Sequence, residues 1–387
     1  MRNPLRVCLF ILLTPFAGCD QHAPTEPEIA PPIASDSNAQ WERDNQNLSH
    51  LAQQLLNTTL TASQTLQQRI EKLLETPNLE RLTAAQNAWQ ATAKDLEAFY
   101  VFSRMGIYSG SPHSDLIQLQ YNIAAWPIHP GYLDAYGEHA FSGLVFDIGT
   151  PISAEFIREQ HGLTNNGDAS LGIYAMEFIL FGESNNRGPL LFQAITELNE
   201  QHAATGYNHL HELPRNRRRQ LLELQADLLV SDLQTLIEYW QNQRPPISDA
   251  RFKLAGLTMI TENILAVAEL QKAQGEEKVE DHILWRGRQL AQRIERQLLG
   301  WQQGLQHLKW VEPPLDEKLL PGQATTTLLT EQLINNLHSI AEQPTTEIPA
   351  TIAARRKQWR PIYRQLRALA DSLELKPDGP AAQITHE

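Results

Sequence analysis

The chain has 387 residues, 32 Lys+Arg against 45 Asp+Glu, and a formal charge of -13. With 42% hydrophobic and 20% charged residues it holds enough apolar material for a sizeable core, which excludes wholesale disorder. Only two Cys occur, excluding a disulfide-rich scaffold and any multi-Cys zinc or iron–sulfur centre, and the acidic balance argues against broad nucleic-acid binding.

The first element reads as an export signal. Arg2 and Arg6 form a positive start, and Val7 to Leu13 is an apolar run too short to cross a bilayer of about 30 Å as a helix. Ala17 and Gly18 before Cys19 resemble a bacterial lipobox, in which that Cys is acylated and becomes the mature N-terminus. Residues 1–18 are then a lipoprotein signal and 19–40 a lipidated linker, with four Pro in Asp20 to Gln40 and no apolar periodicity. The expected location is the bacterial cell envelope, facing the periplasm and held to the membrane by the N-terminal lipid. Asp20 favours the inner membrane, and the outer membrane stays open. A cleaved, soluble periplasmic protein is the alternative.

The body predicts an all-α fold. Leu82, Ala85, Trp89, Ala93, Leu96 and Tyr100 recur at three- and four-residue steps and predict a helix from Asn78, as N-cap, to Arg104. Leu221, Leu224, Leu228, Leu233, Leu236 and Trp240 predict a second over Arg215 to Trp240. Further helices are expected at Asn45–Glu75, Asp115–Ala125, Ala169–Phe181, Leu190–Thr205, Asp249–Ala273, His282–Leu308, Thr325–Glu342 and Pro349–Leu373, the last broken at Pro361. This inventory fits two packed up-and-down, four-helix-type bundles, 41–210 and 211–387.

Within Gly172 to Gly182 a single carboxylate, Glu177, interrupts an apolar helix. Burying it requires a cationic partner, a raised pKa or a metal. Tyr174 lies one turn earlier on the same face, and a phenol beside a carboxylate offers hard oxygen donors suited to ferric iron, calcium or magnesium. The plain alternative is an Arg-paired Glu177 beside an ordinary core Tyr174. His129 and Asp134 sit in a Pro- and Gly-punctuated segment that either positions functional groups or only forms turns. His161, Glu262 with Glu269, and the Arg355–Arg367 run are weaker candidates for which packing or a solvated face is the default.

Ser170 to Glu183 (SLGIYAMEFILFGE) resembles the signature of the imelysin-like proteins, also known as peptidase family M75: Gly-x-His-x-x-Glu, an apolar run, then Gly. Ala88-Trp89, Trp126 to Asp134, Gln160-His161-Gly162, and Arg217-Arg218-Arg219 leading to Trp240 resemble further family blocks in the same order. The resemblance implies two helical bundles with the signature helix at the cleft, in an envelope lipoprotein tied to iron uptake. It further implies iron or haem as bound group, zinc less so, and iron-transport components as partners. Glu177 falls on the signature Glu, and Tyr174 occupies the signature His position. A phenol of ordinary pKa about 10 replaces an imidazole there, and no His-Glu-x-x-His occurs, which weakens a zinc-peptidase reading. Tyrosinate can still serve as an axial ligand to haem iron. The candidate metal-binding residues are therefore Glu177 first, Tyr174 second, and Asp134 and His129 third. Two other readings stand beside metal acquisition: an envelope metallopeptidase with Glu177 polarising a metal-bound water, and an interaction scaffold with a degenerate site.

Lipidation is directly testable. Cys19→Ser is expected to move the protein from the membrane fraction to the soluble periplasm and to abolish labelling by radioactive palmitate; unchanged membrane retention would sink the anchor.

Overall fold

The computed structural model describes residues 34–107, 114–183 and 185–243, together with helical residues 252, 255, 256, 259, 290, 292–301, 303 and 304. The signal, Cys19, Glu262, Glu269, the Arg355–Arg367 run and the helices expected after residue 308 lie outside the described residues. What is described is helical, as the periodicity predicts, and no strand forms among the described residues, only an isolated bridge between Tyr136 and His139. None of the described helices is long and apolar enough to cross a membrane.

Helix α1 spans Ala34–Glu75 and starts inside the expected linker. No Pro occurs between Pro32 and Pro77, so nothing in the backbone interrupts this helix. Helix α2, Leu79–Ile107, begins where expected: the Arg81 amide donates to Asn78 Oδ1 at 2.9 Å. Helix α3, Ser114–Ala124, and helix α7, Pro214–Gln243, also match their apolar patterns.

Two expected helices change. The signature helix, α5, runs only Ile173–Phe181, because the residues before it are spent on other partners. Ser170 donates to the Ile157 carbonyl at 2.7 Å, the Leu171 amide donates to His161, and Gly172 turns at φ 91° against the Ile123 carbonyl, where a Cβ would stand 2.7 Å away. The stretch Leu190–Thr205 forms a 3-10 turn at Pro189–Phe192, an irregular segment and a short helix α6, Glu200–Ala204, capped by Asn199. Its backbone is captured from outside: Asn216 bonds both the amide and the carbonyl of Ile195, and Arg219 donates to the Phe192 carbonyl. Helix α4, Ala154–Gln160, capped by Ser153, was not foreseen.

All nine residues of α5 are buried, and α2 and α7 pack on it. Each fully buried Phe, Ile or Leu there contributes about 1.5–3 kcal/mol of transfer energy. Polar ties fix its register, with Trp89 Nε1 donating to the Ile173 carbonyl at 2.7 Å and Gln86 to the Leu180 carbonyl. One continuous core extends from Leu48 of α1 to Trp301.

The long segment between α3 and α4 has little helix of its own, so its polar groups need other partners. The triplet at the start of α7 supplies them. Arg217 donates to the carbonyls of Leu144, Val145, Asp147 and Thr150; Arg218 grips Asp134 with two bonds at 2.7 and 3.0 Å; Arg219 reaches the Leu74 carbonyl of α1. Arg187 adds a second cation on Asp134 at 2.7 Å. Asp134 is wholly buried. Arg218→Ala is expected to cost about 3 kcal/mol or more in urea unfolding, since it strips half the neutralisation from a buried carboxylate; a loss under 1 kcal/mol would deny this cluster its role.

Candidate functional site

Tyr174 of α5 is buried and its hydroxyl donates to Glu97 Oε1, from α2. The same carboxylate accepts from Arg293 Nε at 3.2 Å and from Gln297 Nε2 at 2.5 Å. Both partners come from the helical segment 292–301, one turn apart on one face. Gly300, on that same face, lets the segment touch α2 backbone to backbone: a Cβ there would lie 2.1 Å from the Ala98 carbonyl oxygen. A carboxylate that is 1% exposed would be costly alone, and three donors converge to satisfy it.

This network settles the protonation of its members. Burial first, and then the negative charge of Glu97, push the Tyr174 phenol well above its ordinary value near 10. At neutral pH it is a protonated donor to Glu97, not a tyrosinate. Burial works against the charge on Arg293, but Glu97, Tyr100 and Tyr174 outweigh it and raise its pKa. Arg293 also makes two cation–π contacts, its guanidinium carbon 4.9 Å from the ring centres of both Tyr100 and Trp126.

Beside the network opens a cavity of about 190 Å³. Glu97, Tyr100 and Arg104 of α2, Gln120 of α3, Trp126 and Arg293 supply its polar and aromatic wall. Leu236 of α7 completes an apolar side. Lining residues thus come from both stretches of chain that the sequence assigns to separate bundles.

Of the sequence candidates, three enter separate networks. Tyr174 is held by Glu97. Asp134 is bound by Arg187 and Arg218; burial would raise its carboxyl, but the Arg218 bonds and both cations more than reverse this and hold it below the usual carboxylate range. His129, half-exposed, pairs through Nδ1 with Asp168 at 2.9 Å, and its ring lies against Gly167. Glu177 is buried in α5 one turn after Tyr174 and is not among the residues lining the cavity. Among the described residues, no three His, Cys, Asp or Glu side chains gather closely enough to hold a metal ion. Tyr174 is engaged as a donor to Glu97 and Asp134 by two arginines, so neither presents a free oxygen in this arrangement.

Glu97 and Arg293 escaped the sequence reading, although a signal existed. Glu97 follows Trp89 and Ala93 at four-residue steps, so it stands on the buried stripe of α2, where a carboxylate demands a partner. Arg293, Gln297 and Gly300 share a face in the same way, but nothing local connects them to Glu97, 196 residues earlier for Arg293.

Comparison with known proteins adds three findings. A family model described as Imelysin, Peptidase M75, matches residues 52–344. The crystal structure of a Parabacteroides distasonis ATCC 8503 protein, given as a candidate iron-regulated protein A precursor, superposes with a TM-score of 0.56 at 12% identity, covering 85% of this chain and 95% of that one. At that identity the likeness speaks for the fold alone. No curated protein matches.

His161, from the block before the signature, has a structural task. Its Nδ1 accepts the Leu171 amide at 3.2 Å, so Nε2 carries the proton and donates to the Tyr121 carbonyl at 3.1 Å. Burial, chiefly, lowers its pKa to about 4. Since the unfolded imidazole titrates near 6.5, the unfolded state binds more protons between pH 6.5 and 4 and stability falls as pH drops through that window. His161→Asn is expected to flatten this decline, by up to about 3 kcal/mol between the two limits, read as unfolding midpoints against pH; an unchanged slope would refute the neutral, buried assignment.

Proposed function

The chain belongs to the imelysin family, and on that premise we propose that it is an envelope lipoprotein holding its ligand in the cavity beside Glu97, as an accessory to iron acquisition. The carrying observation is that a lining residue of the cavity, Glu97, is the acceptor of the signature-helix phenol. The stretch that resembles the family signature thereby abuts the one cavity described above. The name given to the Parabacteroides distasonis protein lends iron as the theme, and the lipobox-like Cys19 lends the location. The division into bundles 41–210 and 211–387, with the ligand between them, belongs to the same proposal.

The form of the cargo follows from the donors. Tyr174 is protonated, Glu97 already takes three donors and Asp134 is clamped between two arginines. Iron carried inside an organic ligand suits such a site better than a bare ion, which would have to strip these bonds first. The same chemistry disfavours a metal-bound water at Tyr174 and Glu177, and so the metallopeptidase alternative.

The test is to isolate the protein from native envelope, measure iron and haem content, and titrate it with ferric iron, ferric complexes of small organic acids, and haem. Stoichiometric uptake of a small ferric complex is expected, haem being too large for a cavity of about 190 Å³, and Tyr174→His, which disturbs the Glu97 network, should weaken it at least several-fold. Chelator-sensitive cleavage of a denatured-protein panel without uptake would replace this function with a metallopeptidase, and neither activity under any loading would leave a scaffold.

A further inference from the structure

His161 ties together two pieces of chain that build the cavity from different sides. It follows α4 directly and is 9% exposed. Its Nδ1 accepts the Leu171 amide at 3.2 Å, and its Nε2 donates to the Tyr121 carbonyl at 3.1 Å. Tyr121 lies near the end of α3, and the stretch from Gln120 to Trp126 gives the cavity much of one wall, the Tyr121 side chain included. Leu171 leads into α5, whose Tyr174 holds the Glu97 carboxylate of another wall. The Tyr121 and His161 rings are themselves in contact, 4.5 Å between centres. The junction is closely fitted. A Cβ on Gly172 would lie within 2.8 Å of the Asn122 and Ile123 carbonyl oxygens, and one on Gly162 would run into the Tyr121 hydroxyl. Packing this tight leaves little slack for a changed group at residue 161.

Only a neutral imidazole makes both bonds, because Nδ1 must keep its lone pair for the Leu171 amide. A proton there would set one N–H against another at 3.2 Å and place a charge in a buried position. The charged and titratable neighbours come from four elements. Arg158 of α4 is a like charge for an imidazolium, and it is held by Asp232 of α7 through bonds of 2.7 and 3.1 Å. Tyr121 of α3 is a phenol that burial, and then Asp168, push above its ordinary value, so it stays neutral. Asp168, in the loop before α5, accepts the Gly162 amide on its carbonyl and pairs its carboxylate with His129. Burial above all lowers the His161 pKa to about 4, with the Arg158 charge acting the same way and the Tyr121 carbonyl against it.

We propose that His161 is an acid-operated latch on the cavity: protonation of Nδ1 expels the Leu171 amide, parts the end of α3 from the entry to α5, and releases a ligand taken up at neutral pH. The proposal rests on the ligand-binding reading above and adds its regulation. Linkage gives the sign. The latched state holds the imidazole neutral and the open state leaves it ordinary, so opening takes up a proton between pH 6.5 and 4. A one-proton opening grows up to about tenfold for each pH unit lost inside that window, and above it the latch is indifferent to pH.

Hydrogen exchange of the full chain in detergent tests the latch without any ligand, read by mass spectrometry at pH 6.5 and 4.5 and corrected for intrinsic amide rates. Protection of residues 116–126 and 168–176 is expected to fall at least tenfold at the lower pH. It should also stay at least tenfold below that of residues 221–240 of α7 at both values, the mark of a local opening. His161→Asn, which offers an acceptor and a donor but does not titrate, should cut the fall to less than threefold. Ferric citrate uptake, measured at the same two pH values, should weaken at least tenfold in the wild type and clearly less in His161→Asn. Both chains meet the same probe, so acid effects on the complex cancel. If His161→Asn does not fold, nuclear magnetic resonance of the wild type decides, the His161 ring and the Leu171 amide being expected to shift with one common midpoint. Unchanged protection, equal protection in all three stretches, an undiminished fall in a folded His161→Asn chain, or separate midpoints would overturn the latch. Ferric citrate uptake alongside unchanged protection would overturn it while leaving the ligand reading intact. The expected loss of protection with no ferric citrate bound at either pH would uphold the opening and remove the iron role.

Discussion

A helix with no exposed face must be enclosed by chain that is itself properly bonded, and that constraint organises the molecule. All of α5 is buried, and part of the chain around it is irregular backbone that pairs with itself only in part. The three arginines at the start of α7 resolve the conflict. Each serves a different piece: Arg217 the 144–150 turns, Arg218 the Asp134 corner, Arg219 the end of α1 and the segment after α5. Guanidinium suits this work because it offers five donors in a fixed plane and stays charged when buried. The helix that packs against α5 through its leucines thus also secures, with its first turn, the loops that close over it.

A second buried charge is solved differently. Glu97 is neutralised from a helix far along the chain and hydrogen-bonded by the phenol of the signature helix. The family signature has His where this chain has Tyr174, and the structure shows what the change accomplishes locally. A neutral imidazole can accept or donate, but a phenol of raised pKa only donates toward Glu97. The carboxylate is thereby held on the protein side by three donors. Two cation–π contacts, to Tyr100 and Trp126, help to hold the Arg293 guanidinium in place.

Much of this was legible in the residues. Period and capping located α1, α2, α3 and α7, down to Asn78 as the cap of α2, and the blocks around Gly172 and Glu177 pointed to the family. The misreadings share one cause, which is capture of backbone by distant side chains. Leu190–Thr205 has helical spacing, but Asn216 and Arg219 take its carbonyls and amide before a helix can. Ser170 and Leu171 are held by Ile157 and His161, so α5 starts late. Asp134 was read as a candidate metal ligand or a turn former, and the structure pairs it with two arginines. Glu97 carried the same warning on the stripe of α2, but its answer lay 196 residues away, beyond the reach of any local pattern.

That separation has a further consequence through Gly300. The ribosome delivers α2 and α5 long before residue 293, and until the later helix arrives the core holds a carboxylate without its cation. The early part of the chain is therefore self-inhibited from closing: sealing it would strand Glu97 in a dry interior. Only a chain made through at least residue 300, with a glycine thin enough there to slide against Ala98, can finish both the core and the cavity in one step. A copy ending before residue 293 lacks both side-chain donors that the later helix brings to Glu97, and one wall of the cavity with them.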